Sequence, residues 1–132
     1  MKDKRFEPRV LPVLAGRSVS FPNIDPVFDD VFSLSASNKA DLGLYKDGNS
    51  KDHVFTTPGI VRAFCNIHPS MSAHVLVMQN PFWATVAADG SYRLPDIPPG
   101  TWTAASSRSS RTRTSSARTT PRTATDDHEG NR

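Results

Sequence analysis

The sequence has few of the residues on which several protein classes depend. There is a single cysteine, Cys65, among 132 residues, which excludes an internal disulfide framework and any zinc site built from several thiolates. No apolar run is long enough to cross a bilayer. The first nine residues, MKDKRFEPR, are charged and no apolar stretch follows them, so no signal peptide is visible in this chain.

Apolar residues are missing from the last part of the chain. Residues 103–132 contain no Val, Ile, Leu, Met, Phe, Trp, Tyr or Cys, but seven Thr, six Ser and six Arg. Such a segment cannot bury enough apolar surface to offset the entropy of ordering it. We therefore predict a single folded region that ends near Trp102 and a disordered tail over residues 103–132.

The net charge of +3 also resides in the tail. Residues 1–102 carry ten Lys and Arg against ten Asp and Glu, whereas the tail has six Arg against three acidic residues. The tail lacks the interleaved aromatic residues that single-strand binders use for stacking. We expect no nucleic-acid partner.

Short extended runs alternate with turn signals along residues 10–102, which predicts an all-β protein of the sandwich or barrel type. We expect hairpins across Pro58-Gly59 and Asp89-Gly90, and a loop over residues 41–49. The predicted strands are Val10–Leu14, Arg17–Phe21, Val31–Leu34, His53–Thr56, Ile60–Phe64, His74–Met78, Thr85–Val86 and Ser91–Leu94.

The segment from Cys65 to Met71 carries the strongest sign of chemistry. It places a thiol at Cys65, an imidazole at His68 and a thioether at Met71 between two predicted strands. Soft sulfur ligands with imidazole suit copper, and a His/Cys site with a weak axial Met is the blue-copper ligand set. Pro69 stiffens the return of the chain, so one short loop offers three ligands and a fourth must come from elsewhere.

This loop resembles the copper-ligand loop of the cupredoxins, since a C-x-x-H-x-x-M spacing follows Pro58-Gly59. The short spacing is similar to that of plastocyanin-like and amicyanin-like members, including bacterial proteins of the methylamine-utilization type. Residues 18–25 (SVSFPNID) and 41–45 (DLGLY) add to the likeness. The resemblance covers about residues 6–80 and implies a Greek-key β-sandwich.

The next segment resembles another family. Residues 88–102 (ADGSYRLPDIPPGTW) are similar to the hairpin of carboxypeptidase-regulatory-like β-sandwiches, so residues 81–102 are interpreted as a partial hairpin of that kind. The apolar strand that normally follows is missing. Two explanations of residues 103–132 stay open: a genuine disordered tail, or out-of-frame translation of a GC-rich gene.

The resemblance also implies the fourth ligand. It places the first ligand histidine of the family just before Val31-Phe32-Ser33, and this chain has Asp29 there. The implied metal site is therefore Cys65, His68, Met71 and Asp29 around one copper ion. A carboxylate is a harder ligand than imidazole and is less suited to Cu(I).

Three hypotheses about function follow. The first is a copper-binding cupredoxin-like protein that transfers one electron to and from a redox protein partner and is not an enzyme. The second is a metal-free β-sandwich that binds a protein or a cell-surface polymer, which the replacement by Asp29 favours. The third, a thiol enzyme using Cys65 and His68, is disfavoured because no glycine-rich nest of oxyanion donors accompanies the pair. The resemblance implies a periplasmic location, whereas a chain that starts at Met1 without an export signal would stay inside the cell.

Overall fold

A computed structural model describes residues 1–94, 96–108 and 111–119, with the backbone alone for residues 105–108 and 111–119. The chain divides into a unit from Met1 to Trp83 and a second unit that begins at Ala84. None of the described residues forms a helix long and apolar enough to cross a membrane. The described strands are β1 (Val10–Leu14), β2 (Arg17–Pro22), β3 (Asp29–Ser33), β4 (Ala40–Tyr45), β5 (Ser50–Phe55), β6 (Gly59–Cys65), β7 (Ser72–Met78), β8 (Gly100–Arg108) and β9 (Arg111–Thr119).

Two sheets build the first unit. One has five strands in the order β1-β7-β6-β3-β4, and the other pairs β2 with β5. Strand β1 lies parallel to β7, with Val10 opposite His74, while β6 and β7 are antiparallel. Strands distant in sequence are neighbours in these sheets, because the chain crosses from one sheet to the other between consecutive strands. The predicted all-β Greek-key sandwich is confirmed.

The core lies between these two sheets. On β6 and β7 every second side chain points inward, which buries Val61, Ala63, Val75 and Val77. The other sheet contributes residues such as Phe55, which is 1% exposed. This alternation is expected of strands with one face on a core, and it also carries Cys65 to the inner face at the end of β6.

Two local predictions in this unit are wrong. Residues 41–49, predicted as a loop, include strand β4, because pairing with β3 outweighs the low strand preference of Asp41 and Gly43. The hairpin predicted across Pro58-Gly59 is absent, since β5 and β6 belong to different sheets. Between β5 and β6 the chain passes from one sheet to the other, and the buried Asn38 side chain stabilises this crossing by donating to the Thr57 carbonyl at 2.7 Å.

The second unit departs from the prediction in both of its parts. Asp89 and Gly90 form a turn in which the Ala87 amide bonds the Ser91 carbonyl at 2.8 Å, but no strands flank it. Strands β8 and β9 pair antiparallel, with Gly100 opposite Thr119 and Arg108 opposite Arg111, so they overlap the segment predicted to be disordered from residue 103. Thr, with its high strand preference, supports such pairing, although a lone two-stranded hairpin is marginally stable in water. Residues 109–110 and 120–132 of the predicted tail lie outside the described residues, and the likeness to a carboxypeptidase-regulatory-like hairpin stays a prediction.

Asn23 fixes the segment that leads into β3. Its side chain is fully buried, donates from Nδ2 to the Val27 carbonyl at 2.7 Å and accepts from the Asp25 amide at 2.9 Å. Its backbone pairs with Asn49 and Gly48 of the turn before β5. The position of Asp29, two residues after Val27, therefore depends on this buried amide.

Replacement of Asn23 by Ala is expected to lower the free energy of unfolding by about 2 to 3 kcal/mol, since it leaves the buried Asp25 amide without its acceptor and removes the donor to the Val27 carbonyl. Urea denaturation of the full chain measures this loss. Asn49→Ala is the matched control, because the Asn49 side chain is exposed and its two contacts, at 3.3 and 3.5 Å, are long. Equal losses in the two variants would contradict the anchoring role of Asn23.

Candidate metal centre

The ends of two neighbouring strands bring the first two site residues together. Val31 of β3 lies opposite Cys65 of β6. Asp29 is two residues before Val31 and on the same face, so it is the diagonal neighbour of Cys65. Both side chains are buried, with exposed fractions of 0% for Asp29 and 3% for Cys65. The sheet itself, through register and alternation, therefore sets the carboxylate beside the thiol.

The loop after β6 supplies the third residue. Its start is tied to β3, because the Asn66 amide bonds the Asp30 carbonyl at 3.0 Å and Asn66 Nδ2 donates to Asp30 Oδ2 at 2.9 Å. It then turns sharply, with the Met71 amide bonding the His68 carbonyl at 2.9 Å. Pro69 occupies the second position of this turn, where its fixed φ is favourable. The turn returns the His68 ring toward Cys65.

Three donor atoms face one another at this point. Asp29 Oδ1 lies 3.0 Å from His68 Nδ1 and 3.4 Å from Cys65 Sγ, and Cys65 Sγ lies 3.7 Å from His68 Nδ1. Asp29 and Cys65 close the site from the core side, while the His68 side chain keeps 13% of its surface exposed. The centre thus lies at the edge of the sandwich, with His68 between it and solvent.

The second oxygen of the same carboxylate is unusual. Asp29 Oδ2 is buried and has no hydrogen-bond partner, and Asp30 Oδ1 is in the same condition. A buried polar atom without a partner costs about 1–3 kcal/mol, and more when it is charged. A bound cation is one physical means of offsetting that cost.

Negative charge at the centre also affects the pKa of Tyr45, which lies opposite Asp29 in the β3–β4 pairing. Tyr45 is buried, and burial raises the pKa of its phenol well above the ordinary value, with further increases from the charges of Asp29 and Cys65. The phenol donates to Met1 Sδ at 3.9 Å. Tyr45 is therefore held neutral beside the site.

The structure brings three of the four predicted residues into one cluster, Asp29, Cys65 and His68. Met71 is 1% exposed and packs in the same core cluster as Cys65, and its role as a ligand stays a prediction. Neither His53 nor His74 joins a group of three possible ligands among the described residues.

Sequence reasoning missed the contacts that support the site. These are the bond from Asn66 to Asp30 and the pairing of Tyr45 with Asp29. Asn66, which lies inside the Cys–His loop, was visible as a polar residue next to Cys65. Tyr45 gave no signal, because its place depends on a strand that was predicted to be a loop.

The donor atoms fit a first-row metal ion. With zinc as the reference, a metal–sulfur bond is about 2.3 Å long and a metal–nitrogen or metal–oxygen bond about 2.0–2.1 Å. In a tetrahedral site, these bond lengths place two donor atoms roughly 3.4–3.6 Å apart. The three observed separations span 3.0–3.7 Å, close to that requirement. The unpartnered Asp29 Oδ2 agrees with a cation at this place.

No protein-family profile matches the chain, and no curated protein sequence matches it. Solved structures do match. A reduced amicyanin carrying one substitution is 21% identical, with a TM-score of 0.55 over 59% of this chain and 77% of that chain. A purple cupredoxin from Nitrosopumilus maritimus is 22% identical, with a TM-score of 0.52 over 59% of this chain and 86% of that chain.

A larger protein shares the same architecture in part. A copper-containing nitrite reductase from Thermus scotoductus is 24% identical, with a TM-score of 0.53, but the match spans 58% of this chain and 20% of that chain. At these identities the likeness establishes the fold. The chain has a cupredoxin-like fold, as the resemblance of the Cys–His–Met loop predicted.

Tyr45 is expected to ionise only well above its ordinary pKa of about 10. In the unfolded chain Tyr45 loses its proton near that value while the folded chain keeps it, so stability falls as the pH rises beyond it. Alkaline titration of phenolate absorbance, compared between the wild type and Tyr45→Phe, isolates this group from Tyr92, the other tyrosine. A difference titration with its midpoint at or below the ordinary value would contradict the prediction.

Proposed function

We propose that this protein binds one copper ion through Asp29, Cys65 and His68, with Met71 as a fourth, weaker ligand, and carries one electron between partner proteins. The observation that carries the proposal is the convergence of Asp29 Oδ1, Cys65 Sγ and His68 Nδ1 within 3.7 Å of one another. The cupredoxin-like fold supports the same proposal, because the resemblance of the Cys65–Met71 loop to the copper-ligand loop of the cupredoxins implies these residues as ligands.

Each residue has a distinct task in holding the ion. Cys65 offers a thiolate and His68 a neutral Nδ1, so both must be free of the competing proton when the ion binds. Asp29 offers Oδ1 and already faces both partners. When bound, copper supplies the one-electron redox change; the protein itself supplies ligands, burial and orientation.

The surroundings agree with an electron carrier. The thiol and the carboxylate are enclosed by the core, which excludes water from the centre. His68 is the site residue that reaches the surface, and its neighbour Ile67 is 46% exposed. This exposed apolar side chain, beside an imidazole that keeps part of its surface exposed, offers a place for a redox partner to approach.

Catalysis is not part of the proposal. The nitrite reductase match spans a fifth of that chain. In a nucleophilic triad, one imidazole nitrogen contacts the nucleophile and the other contacts the carboxylate that orients the ring. Here the same nitrogen, His68 Nδ1, faces both Cys65 and Asp29.

The periplasm, where copper is handled by related folds, is the proposed location.

Addition of Cu(II) to the full-length protein is expected to give an intense visible thiolate-to-copper band with one copper retained per chain. Cys65→Ser should abolish the band. His68→Ala should weaken or displace it, whereas His74→Ala, the matched histidine on β7, should leave it unchanged.

Absence of both the band and retained copper from the wild type would overturn the proposal. The metal-free β-sandwich that binds a protein or a cell-surface polymer would then be the better hypothesis. Copper that Cys65→Ser retains as firmly as the wild type would show that copper binds elsewhere, since Cys65 is the single cysteine of the chain.

A further inference from the structure

We propose that Asp29 makes this centre selective for divalent ions, so that it holds Cu(II) in preference to Cu(I) and accepts Zn(II) through the same three residues. This inference rests on the proposed site but not on electron transfer. It follows from the charge that the described residues place around the donor atoms.

The charge of the ligands themselves favours a divalent ion. Cys65 as thiolate and Asp29 as carboxylate contribute two negative charges, and a neutral His68 contributes none. A divalent ion makes this set neutral, whereas a monovalent ion leaves one uncompensated negative charge. Because Asp29 and Cys65 are 0% and 3% exposed, water cannot screen that remaining charge well.

The surroundings of the ligands add negative charge. Asp30 adds a further carboxylate, and its Oδ1 is buried without a partner like Asp29 Oδ2. Throughout the described part of the chain, no Lys or Arg forms an ion pair with either residue; the single ion pair is that of Asp29 with His68. The ammonium of Lys51 is engaged at the Leu42 carbonyl and lies 5.6 Å from the centre of the Tyr45 ring.

The chemistry of the donor atoms favours the same divalent ions. Carboxylate oxygen is a hard ligand that stabilises Cu(II) more than Cu(I), while thiolate and thioether favour Cu(I). Cys, His and Asp are all accepted zinc ligands, and Zn(II) has no geometric preference of its own. With an imidazole in place of Asp29, the ligand set would carry one negative charge, and Cu(I) would be the ion that makes it neutral.

The test measures affinities of the full-length wild type, Asp29→His and Asp29→Asn for Cu(II), Cu(I) and Zn(II) by competition with chelators. Both variants should lower the ratio of Cu(II) to Cu(I) affinity at least tenfold. A tenfold change corresponds to a rise of about 59 mV in the midpoint potential of the one-electron couple, which voltammetry measures independently. Zn(II) affinity should fall in Asp29→Asn by at least the same factor.

Asp52→Asn is the matched control, because it removes one carboxylate charge from an exposed position on β5 of the other sheet. It should leave the affinity ratio unchanged. Asp29→Asn keeps the size of the side chain, so it provides the measurement if Asp29→His fails to fold. Protection of Cys65 from alkylation by one equivalent of Zn(II) is a further test on the wild type alone.

The outcomes separate the two proposals. An affinity ratio that is unchanged in both Asp29 variants, or Zn(II) that fails to protect Cys65, overturns the selectivity. An affinity ratio that falls in both Asp29 variants, together with a wild-type copper centre that shows no reversible one-electron couple in voltammetry, would support the selectivity and overturn the electron-carrier function.

Discussion

The short antiparallel pairing between β3 and β6 determines where the donor atoms of the site lie. It consists of two residue pairs, Val31 with Cys65 and Phe32 with Phe64. A shift of one residue in this register would turn either Cys65 or Asp29 to the outer face of the sheet. The loop that carries His68 starts from the same place, since Asn66 bonds both the backbone and the side chain of Asp30.

The same pairing buries a carboxylate that the rest of the core does not compensate. One carboxylate oxygen of Asp29 contacts both Cys65 and His68, and the other has no hydrogen-bond partner. Tyr45, whose phenol is neutral, lies opposite Asp29 on the neighbouring strand. Such a group is costly in a β-sandwich unless an ion binds it. Function and stability are therefore coupled at this residue: a bound cation would stabilise the folded state, because the site depends on strand register that the unfolded chain lacks.

Most strands of the first unit were predictable, because alternation and turn residues are local signals. Strand β1 agrees with its predicted bounds, and the strands that contain Val19, Val61 and Val75 differ at their ends. Strand β4 was missed because Asp41 and Gly43 weaken its local preference while its partner β3 stabilises it. The change of sheet after Phe55 was missed because Pro58-Gly59 also suits a hairpin. Asn38, from a distant part of the chain, bonds Thr56 and Thr57 and so stabilises the crossing between the sheets instead.

The sequence by itself determined the all-β class, the Cys65–His68–Met71 spacing and the presence of a carboxylate where the resemblance places a histidine. These are matters of residue type and local order. Only the tertiary structure decided that Asp29 Oδ1 reaches both Cys65 and His68, that its second oxygen is buried without a partner, and that β1 lies parallel to β7. These facts depend on contacts between segments more than thirty residues apart, and no local pattern encodes their distance or their burial.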